Sequence, residues 1–162
     1  MNVDNLVGSV ERGSIQLHPF PRLRRRVWNM DVLVVDDDAG DTALILSALN
    51  RNPLVTSARA TSAPAFALRQ FAVEGGLRPN LVLLDIHMPK LDGFAFLASM
   101  RKIPVMKNVP VVFLTTSGLA SDVERTMHSS ASLYVLKPNS NTELQSRLNG
   151  VIRLASTGGL AH

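Results

Sequence analysis

The stretch LVLLDIHMPKLDGF, residues 81–94, opens with four consecutive aliphatic residues and then reaches a carboxylate, Asp85. A strand that is apolar on successive residues is buried on both faces, which is typical of a parallel sheet covered by helices. The core beneath such a strand would hold the acid that follows it in a fixed position. What this carboxylate does depends on which side chains follow the neighbouring strands.

The chain outside this stretch alternates between strand-like and helix-like segments. The predicted strands cover residues 31–35, 54–58, 80–84, 109–115 and 132–136, and the segment 54–58 is the most polar, as expected for an edge strand. The predicted helices cover residues 42–52, 62–74, 93–102, 119–128 and about 141–155. Asp38 or Asp41 can cap the first helix, and Asn139 or Asn141 the last. The alternation predicts an α/β fold with a doubly wound, five-stranded parallel sheet and helices on both faces.

Composition and charge limit the classes of protein that fit this chain. Its 162 residues are 46% hydrophobic and 19% charged, which is typical of one globular domain. It has no cysteine, so disulfides and thiolate metal sites are excluded, and a cytoplasmic location is expected. The net charge of +4 comes mainly from residues 1–29, which contain the run RLRRR.

Three regions follow from this pattern. Residues 1–29 show no sustained strand or helix period and are predicted to form a basic, flexible arm. Residues 30–155 carry the alternating elements and form the predicted domain, and residues 156–162 are expected to be a frayed tail. The arm could contact an anionic partner such as nucleic acid, but a solvated arm is the favoured interpretation.

Polar side chains lie at the carboxyl ends of four of the predicted strands. Asp36 and Asp37 follow the first, Asp85 the third, and Lys137 the fifth, while Thr115 ends the fourth. In doubly wound sheets the ligand crevice lies at the carboxyl ends of the strands, so these groups should converge. Converging carboxylates need a cation, and all-oxygen ligands suit Mg²⁺. A carboxylate beside Mg²⁺, a lysine and a hydroxyl is suited to accepting a phosphoryl group, with Asp85 as the nucleophile.

At this point the chain resembles the receiver domain of two-component response regulators, over residues 31 to about 154. Four motifs carry the resemblance: VVDDD at 34–38, LLDIHMPKLDGF at 83–94, VVFLTTS at 111–117 and YVLKP at 134–138. The resemblance implies a flavodoxin-like or CheY-like sheet of order 2-1-3-4-5 in a stand-alone receiver. The DDDAGD stretch and LTTS are also similar to single-domain receivers that partner bacterial phytochromes.

The resemblance implies a role for each matching residue. Asp85 would be the phosphoacceptor. Mg²⁺ would bind Asp36, Asp37, Asp85 and the backbone carbonyl of His87. Lys137 would pair with the phosphoryl group, and the Lys137–Pro138 bond would be cis. Thr115 would move to bond a phosphoryl oxygen, and Tyr134 would change its burial with it, so both are expected switch residues. Asp38 is expected to cap the first helix instead of binding the ion.

The implied partners are a sensor histidine kinase, with a bacteriophytochrome as one candidate, or a phosphotransfer protein. A downstream protein, or a second copy in a homodimer, would contact the face formed by the fourth helix, fifth strand and fifth helix. No membrane association is expected, and nucleic-acid binding is disfavoured. The chain would act as a signalling protein and not as an enzyme. A degenerate receiver that binds partners without phosphorylation is the main alternative. A phosphatase with its nucleophile at Asp36 or its neighbours is another, but it would need a cap domain.

Overall fold

The computed structural model describes residues 6–11, 14–19 and 29–160, with side chains described for 29–160. Two strands, β1 (Leu6–Glu11) and β2 (Ser14–Pro19), pair antiparallel within the predicted arm, where the sequence pattern had indicated no strand. The rest of that arm, with its RLRRR run, lies outside the described residues. The prediction that the arm is flexible stays a prediction.

From Met30 onward the predicted alternation of strands and helices is confirmed. The strands are β3 (Met30–Val35), β4 (Val55–Thr61), β5 (Leu81–Leu84), β6 (Val111–Thr115) and β7 (Leu133–Leu136). The helices are α1 (Ala39–Asn50), α2 (Pro64–Ala72), α3 (Gly93–Arg101), α4 (Ala120–Met127) and α5 (Asn141–Ser156), with a 3-10 turn at Pro104–Met106. No helix of the described residues is long and apolar enough to cross a bilayer.

The five strands β3 to β7 form one parallel sheet in the order β4-β3-β5-β6-β7. Counted from β3, this is the order 2-1-3-4-5, which confirms the predicted fold class. The strand β4 lies at an edge, as its polar sequence indicated, although it is longer than predicted. Every residue of β5 and β6 is buried, because helices cover both faces of the sheet.

The core lies in two layers, one on each face of the sheet. One layer contains side chains of α1 and α5, including Leu49 and Ile152, and the other contains side chains of α2 and α3, including Phe71 and Phe96. Residues facing opposite sides alternate along each strand, so Val34 belongs to the first layer and Val35 to the second. This packing holds the carboxyl ends of the central strands in a fixed arrangement.

Three local expectations need correction. The last helix is capped by Ser140, whose hydroxyl accepts a hydrogen bond from the backbone of Glu143, and not by Asn139 or Asn141. The Lys137–Pro138 bond is trans, since the described residues contain no cis peptide bond. Trans is the more stable form of an X–Pro bond, and the Lys137 backbone N–H donates to the Thr115 carbonyl at 2.8 Å in this form.

The third correction concerns the predicted frayed tail. Gly158 has a positive φ of 75°, which turns the chain back after α5. The backbone N–H of Gly159 then donates to the carbonyl of Leu154 at 2.8 Å. Leu160 is buried in the core layer of α1 and α5. The described part of the tail therefore packs on the domain because an apolar side chain follows the turn.

Candidate functional site

The sheet brings the predicted strand-end residues to one crevice. Asp36 and Asp85 follow adjacent strands, and the backbone N–H of Asp85 donates to the Val35 carbonyl at 2.9 Å. Thr115 ends β6 and is fully buried. Lys137 follows β7 with a side chain only 8% exposed. Because the sheet ladder continues to the last residue of each strand, these side chains start from rigid backbone positions.

Lys137 is the cation at the centre of the crevice. Its Nζ lies 2.6 Å from Asp36 Oδ2, 2.8 Å from Asp41 Oδ2 and 3.9 Å from Asp85 Oδ1. The first two distances are those of charge-assisted hydrogen bonds, whereas the third is too long for one. Asp85 is thus near the ammonium without being bonded to it.

Three carboxylates form a group that fits a divalent cation. One oxygen from each of Asp36, Asp37 and Asp85 lies within 4.8 Å of the other two. Carboxylate oxygens without thiolate or imidazole ligands suit a hard ion such as Mg²⁺. Asp38 has a different role. Its Oδ1 accepts a hydrogen bond from the backbone N–H of Asp41 at 2.8 Å, so Asp38 caps α1, as predicted.

Burial and charge act on Asp85 and Lys137 in different ways. Burial raises the pKa of Asp85, aided by the Asp36 charge and opposed by Lys137 and a hydrogen bond from Thr115. Burial would lower the pKa of Lys137, but its hydrogen bonds to Asp36 and Asp41 and the charge of Asp85 raise it overall. The lysine therefore stays charged, while the negative charge of Asp85 is only partly compensated.

The loop after Asp85 is fixed by a glycine. A Cβ at Gly93 would lie 2.4 Å from the Asp85 carbonyl oxygen and 3.0 Å from the Phe113 ring, so no larger residue fits. The backbone N–H of Gly93 donates to the Ile86 carbonyl at 2.8 Å. Asp92 caps α3 through the backbone N–H of Ala95. The Asp92-Gly93 pair is thus a structural feature that holds the loop beside Asp85.

The two predicted switch residues are joined through one loop. The Thr115 hydroxyl oxygen accepts the backbone N–H of Ser117 at 3.3 Å. The Tyr134 hydroxyl donates to the carbonyl of Ser117, and its side chain is half-buried. Burial raises the pKa of Tyr134, with a further contribution from the Asp122 charge. A displacement of Thr115 would therefore also displace Ser117, whose carbonyl Tyr134 contacts.

His87 takes a position that the sequence did not indicate. Its Nε2 lies 2.8 Å from Asp122 Oδ2, and Asp122 also accepts the hydroxyl of Ser117. Asp122 belongs to α4 and is 3% exposed. The imidazole is thus directed at α4, and the expected metal contact of the His87 backbone carbonyl stays a prediction.

Sequence reasoning missed two site residues, Asp41 and Asp122. Asp41 has a sequence signal, because it lies in the first turn of a helix that starts from the crevice, but the same signal also fits a helix cap. Asp122 had none, since it lies among Ser121, Val123 and Glu124 in a segment that reads as an exposed helix. The roles predicted for the seven matching residues stay predictions.

The family model of the response regulator receiver domain matches residues 32–149. The chain is 32% identical to Response regulator Rcp1 of Synechocystis sp. over 124 residues, which is 74% of this chain and 84% of that protein. It is also 32% identical over 124 residues to Sensor histidine kinase CheAY of Helicobacter pylori, covering 76% of this chain but 15% of that much longer protein.

Solved structures give the same result. The phosphorylated cyanobacterial phytochrome response regulator RcpA aligns with a TM-score of 0.71 and 27% identity, covering 78% of this chain and 93% of that one. The Mn²⁺-bound form of Rcp1 aligns with a TM-score of 0.67 and 28% identity, covering 75% and 91%. Together with the matched family model, these similarities show that the chain belongs to the response regulator receiver domain family.

Proposed function

We propose that this receiver accepts a phosphoryl group on Asp85 and passes the signal on by protein contact. The observation that carries the proposal is the position of Asp85. It is held 9% exposed at the end of a buried strand, 3.9 Å from the Lys137 ammonium and grouped with the carboxylates of Asp36 and Asp37. A buried carboxylate beside a cation that is not hydrogen-bonded to it is arranged to receive an anionic group.

The transfer would proceed by in-line displacement. A carboxylate oxygen of Asp85 forms the new O–P bond while the bond from phosphorus to the donor's leaving atom breaks, and the electron pair departs with that atom. Lys137 would donate a hydrogen bond to one phosphoryl oxygen, and Thr115 would move so that its hydroxyl donates to another. Asp36, Asp37 and Asp85, with the His87 carbonyl, would hold Mg²⁺, which supplies charge neutralisation on those oxygens. The proposal includes no turnover of a separate substrate, so the protein would not be an enzyme.

The phosphoryl donor would be a sensor histidine kinase or a phosphotransfer protein, and the site of action the cytoplasm. RcpA is described as a phytochrome response regulator, and the similarity to it supports a bacteriophytochrome as one candidate kinase. The matched region contains the full set of receiver site residues, and this supports phosphorylation over a degenerate receiver that only binds.

The output surface would be the face of α4, β7 and α5. The helix α4 directs polar residues inward, with Asp122 and Thr126 buried, and apolar residues outward. The large exposed apolar side chains on α4, on β7 and directly before α4 are Leu119, Val123, Met127 and Leu136. An apolar helix face turned to solvent favours contact with a protein. Sedimentation of this chain with and without a phosphoryl mimic would show whether the partner at this face is a second copy of the chain.

The test is the intact mass of the protein after incubation with acetyl phosphate, with and without Mg²⁺. We expect one added phosphoryl group that requires Mg²⁺ and is absent from Asp85→Asn. Asp38→Asn is the matched control, because asparagine caps a helix as well as aspartate does, and it should still be phosphorylated. An adduct on Asp85→Asn would contradict the assignment of Asp85 as the phosphoacceptor. The absence of an adduct on the wild type would mean that the protein acts only as a binding module.

A further inference from the structure

We propose that Asp41 is a positioning residue that holds Lys137 in the resting state and competes with the phosphoryl group for it. The proposal rests on the proposed function, because it assigns a regulator of the same site. It would make Asp41 a determinant of how readily the receiver is phosphorylated.

The geometry around the Lys137 ammonium supports this role. Lys137 has three N–H donors, and two of them are used by Asp36 and Asp41 at 2.6 and 2.8 Å. Asp85 lies 3.9 Å away, so a movement of about 1 Å separates the present position from a hydrogen bond at that side. The side chain is 8% exposed, and water therefore offers it little alternative to these three acids.

The two hydrogen-bond partners of Lys137 in the resting state, Asp36 and Asp41, differ in their surroundings. Asp36 belongs to the group of carboxylates that fits a divalent cation, so its negative charge would interact with that cation when one is bound. Asp41 is outside that group. Among the described residues, the Lys137 ammonium is the only basic group within 4.0 Å of its carboxylate. Asp41 would therefore still attract Lys137 when Asp36 binds a divalent cation.

The backbone of Asp41 is held in place, while its carboxylate stays partly accessible to water. Its backbone N–H donates to Asp38 Oδ1 at the start of α1, and its side chain is 35% exposed. A partly exposed carboxylate can regain water when the lysine leaves, so the contact is reversible. A charge-assisted hydrogen bond of this kind is strong enough to compete with a phosphoryl oxygen without preventing the transfer.

The experiment is a titration with beryllium trifluoride, a phosphoryl mimic, at saturating Mg²⁺, followed by calorimetry. Asp41→Asn removes the charge with little change in volume, and we expect it to bind the mimic about tenfold more tightly than the wild type, the effect of one charge-assisted hydrogen bond. Asp41→Glu keeps the charge and should remain close to the wild type. A structural defect alone would weaken binding, so a gain in affinity separates positioning from disruption.

Asp38→Asn is the matched control, because it removes a neighbouring charge that does not contact Lys137. An equal gain in Asp38→Asn would show that the general negative field is responsible and would overturn the proposal. Unchanged or weaker binding by Asp41→Asn would overturn it as well. So would a gain in affinity by Asp41→Glu as large as the gain by Asp41→Asn. If the wild type does not bind beryllium trifluoride, the proposed function itself is contradicted. If the wild type binds it but Asp41→Asn shows no gain in affinity, only the role of Asp41 is contradicted.

Discussion

Asp85 and Asp122 are two buried carboxylates near the same edge of the sheet, yet their pKa values are shifted in opposite directions. Burial raises the pKa of Asp85. The nearest cation, the Lys137 ammonium at 3.9 Å, offsets this effect only in part. The hydrogen bond from Ser117 lowers the pKa of Asp122, with further help from His87 and Arg125. Asp122 thus has its charge compensated and serves the structure, whereas Asp85 keeps a charge that a new partner can compensate.

The largest effect on stability is expected from Asp122→Ala. The substitution leaves the Ser117 hydroxyl and the His87 imidazole without their acceptor, so we expect the free energy of unfolding to fall by about 2–3 kcal/mol. Urea denaturation at neutral pH measures this. Asp122→Asn retains one acceptor oxygen and should lose less. A loss below about 0.5 kcal/mol for the alanine variant would show that Asp122 is not a structural group.

The pH dependence of this loss follows from the direction of the shift. Because the folded pKa of Asp122 is lowered, its stabilising contribution is fully present above the pKa of the unfolded chain. It disappears as the pH falls through the lower folded pKa. The difference in stability between the wild type and Asp122→Ala should therefore shrink in acid, and a difference that grows would contradict the assignment.

A smaller effect of opposite sign is expected from Asp85→Asn in the presence of a chelator. The variant removes an incompletely compensated buried charge, so we expect a gain of roughly 1 kcal/mol at neutral pH. With its folded pKa raised, Asp85 reduces stability as the pH rises from the ordinary pKa through the folded pKa. The gain should vanish below that window. Thermal unfolding from about pH 3 to pH 8 measures it.

Saturating Mg²⁺ supplies the control for this prediction. If Asp36, Asp37 and Asp85 bind the cation as proposed, it stabilises the folded wild type by mass action, whereas the variant lacks one ligand. The order of stability should then reverse, with the wild type above Asp85→Asn. If the variant is less stable under both conditions, then Asp85 is already compensated and the contrast with Asp122 is lost.

The contrast between the two acids also explains what the sequence could predict. Asp36, Asp85, Thr115 and Lys137 were found because parallel strands must bring their carboxyl ends to one edge, so position along the chain implied position in space. Asp122 lies on a helix, where the sequence gives the period but not which side faces the sheet. In α4 the buried side carries polar residues, and the usual rule that apolar residues face inward would assign Asp122 to the surface.

Local capping and turn chemistry were harder to predict than the sheet. Ser140, and not its asparagine neighbours, caps α5, because all three residues can accept the same backbone hydrogen bond and the choice depends on the path of the chain after Pro138. Leu160 was assigned to a frayed tail, since one apolar residue after two glycines carries no periodic signal. Its burial is a tertiary contact that no local pattern contains.

The smallest effect is expected at His87, the side chain that connects the two acids. It lies two residues after Asp85, and its imidazole contacts Asp122 at 2.8 Å while 56% of the side chain is exposed. A contact made by a side chain that is more than half exposed to water contributes little, so a double-mutant cycle of His87→Ala with Asp122→Ala should give a coupling below about 1 kcal/mol. A coupling above roughly 2 kcal/mol would mean that the loop after Asp85 and α4 are held together through this contact. In that case Asp85 and Asp122 would respond as one unit, because any movement of the loop on phosphorylation would act directly on the helix.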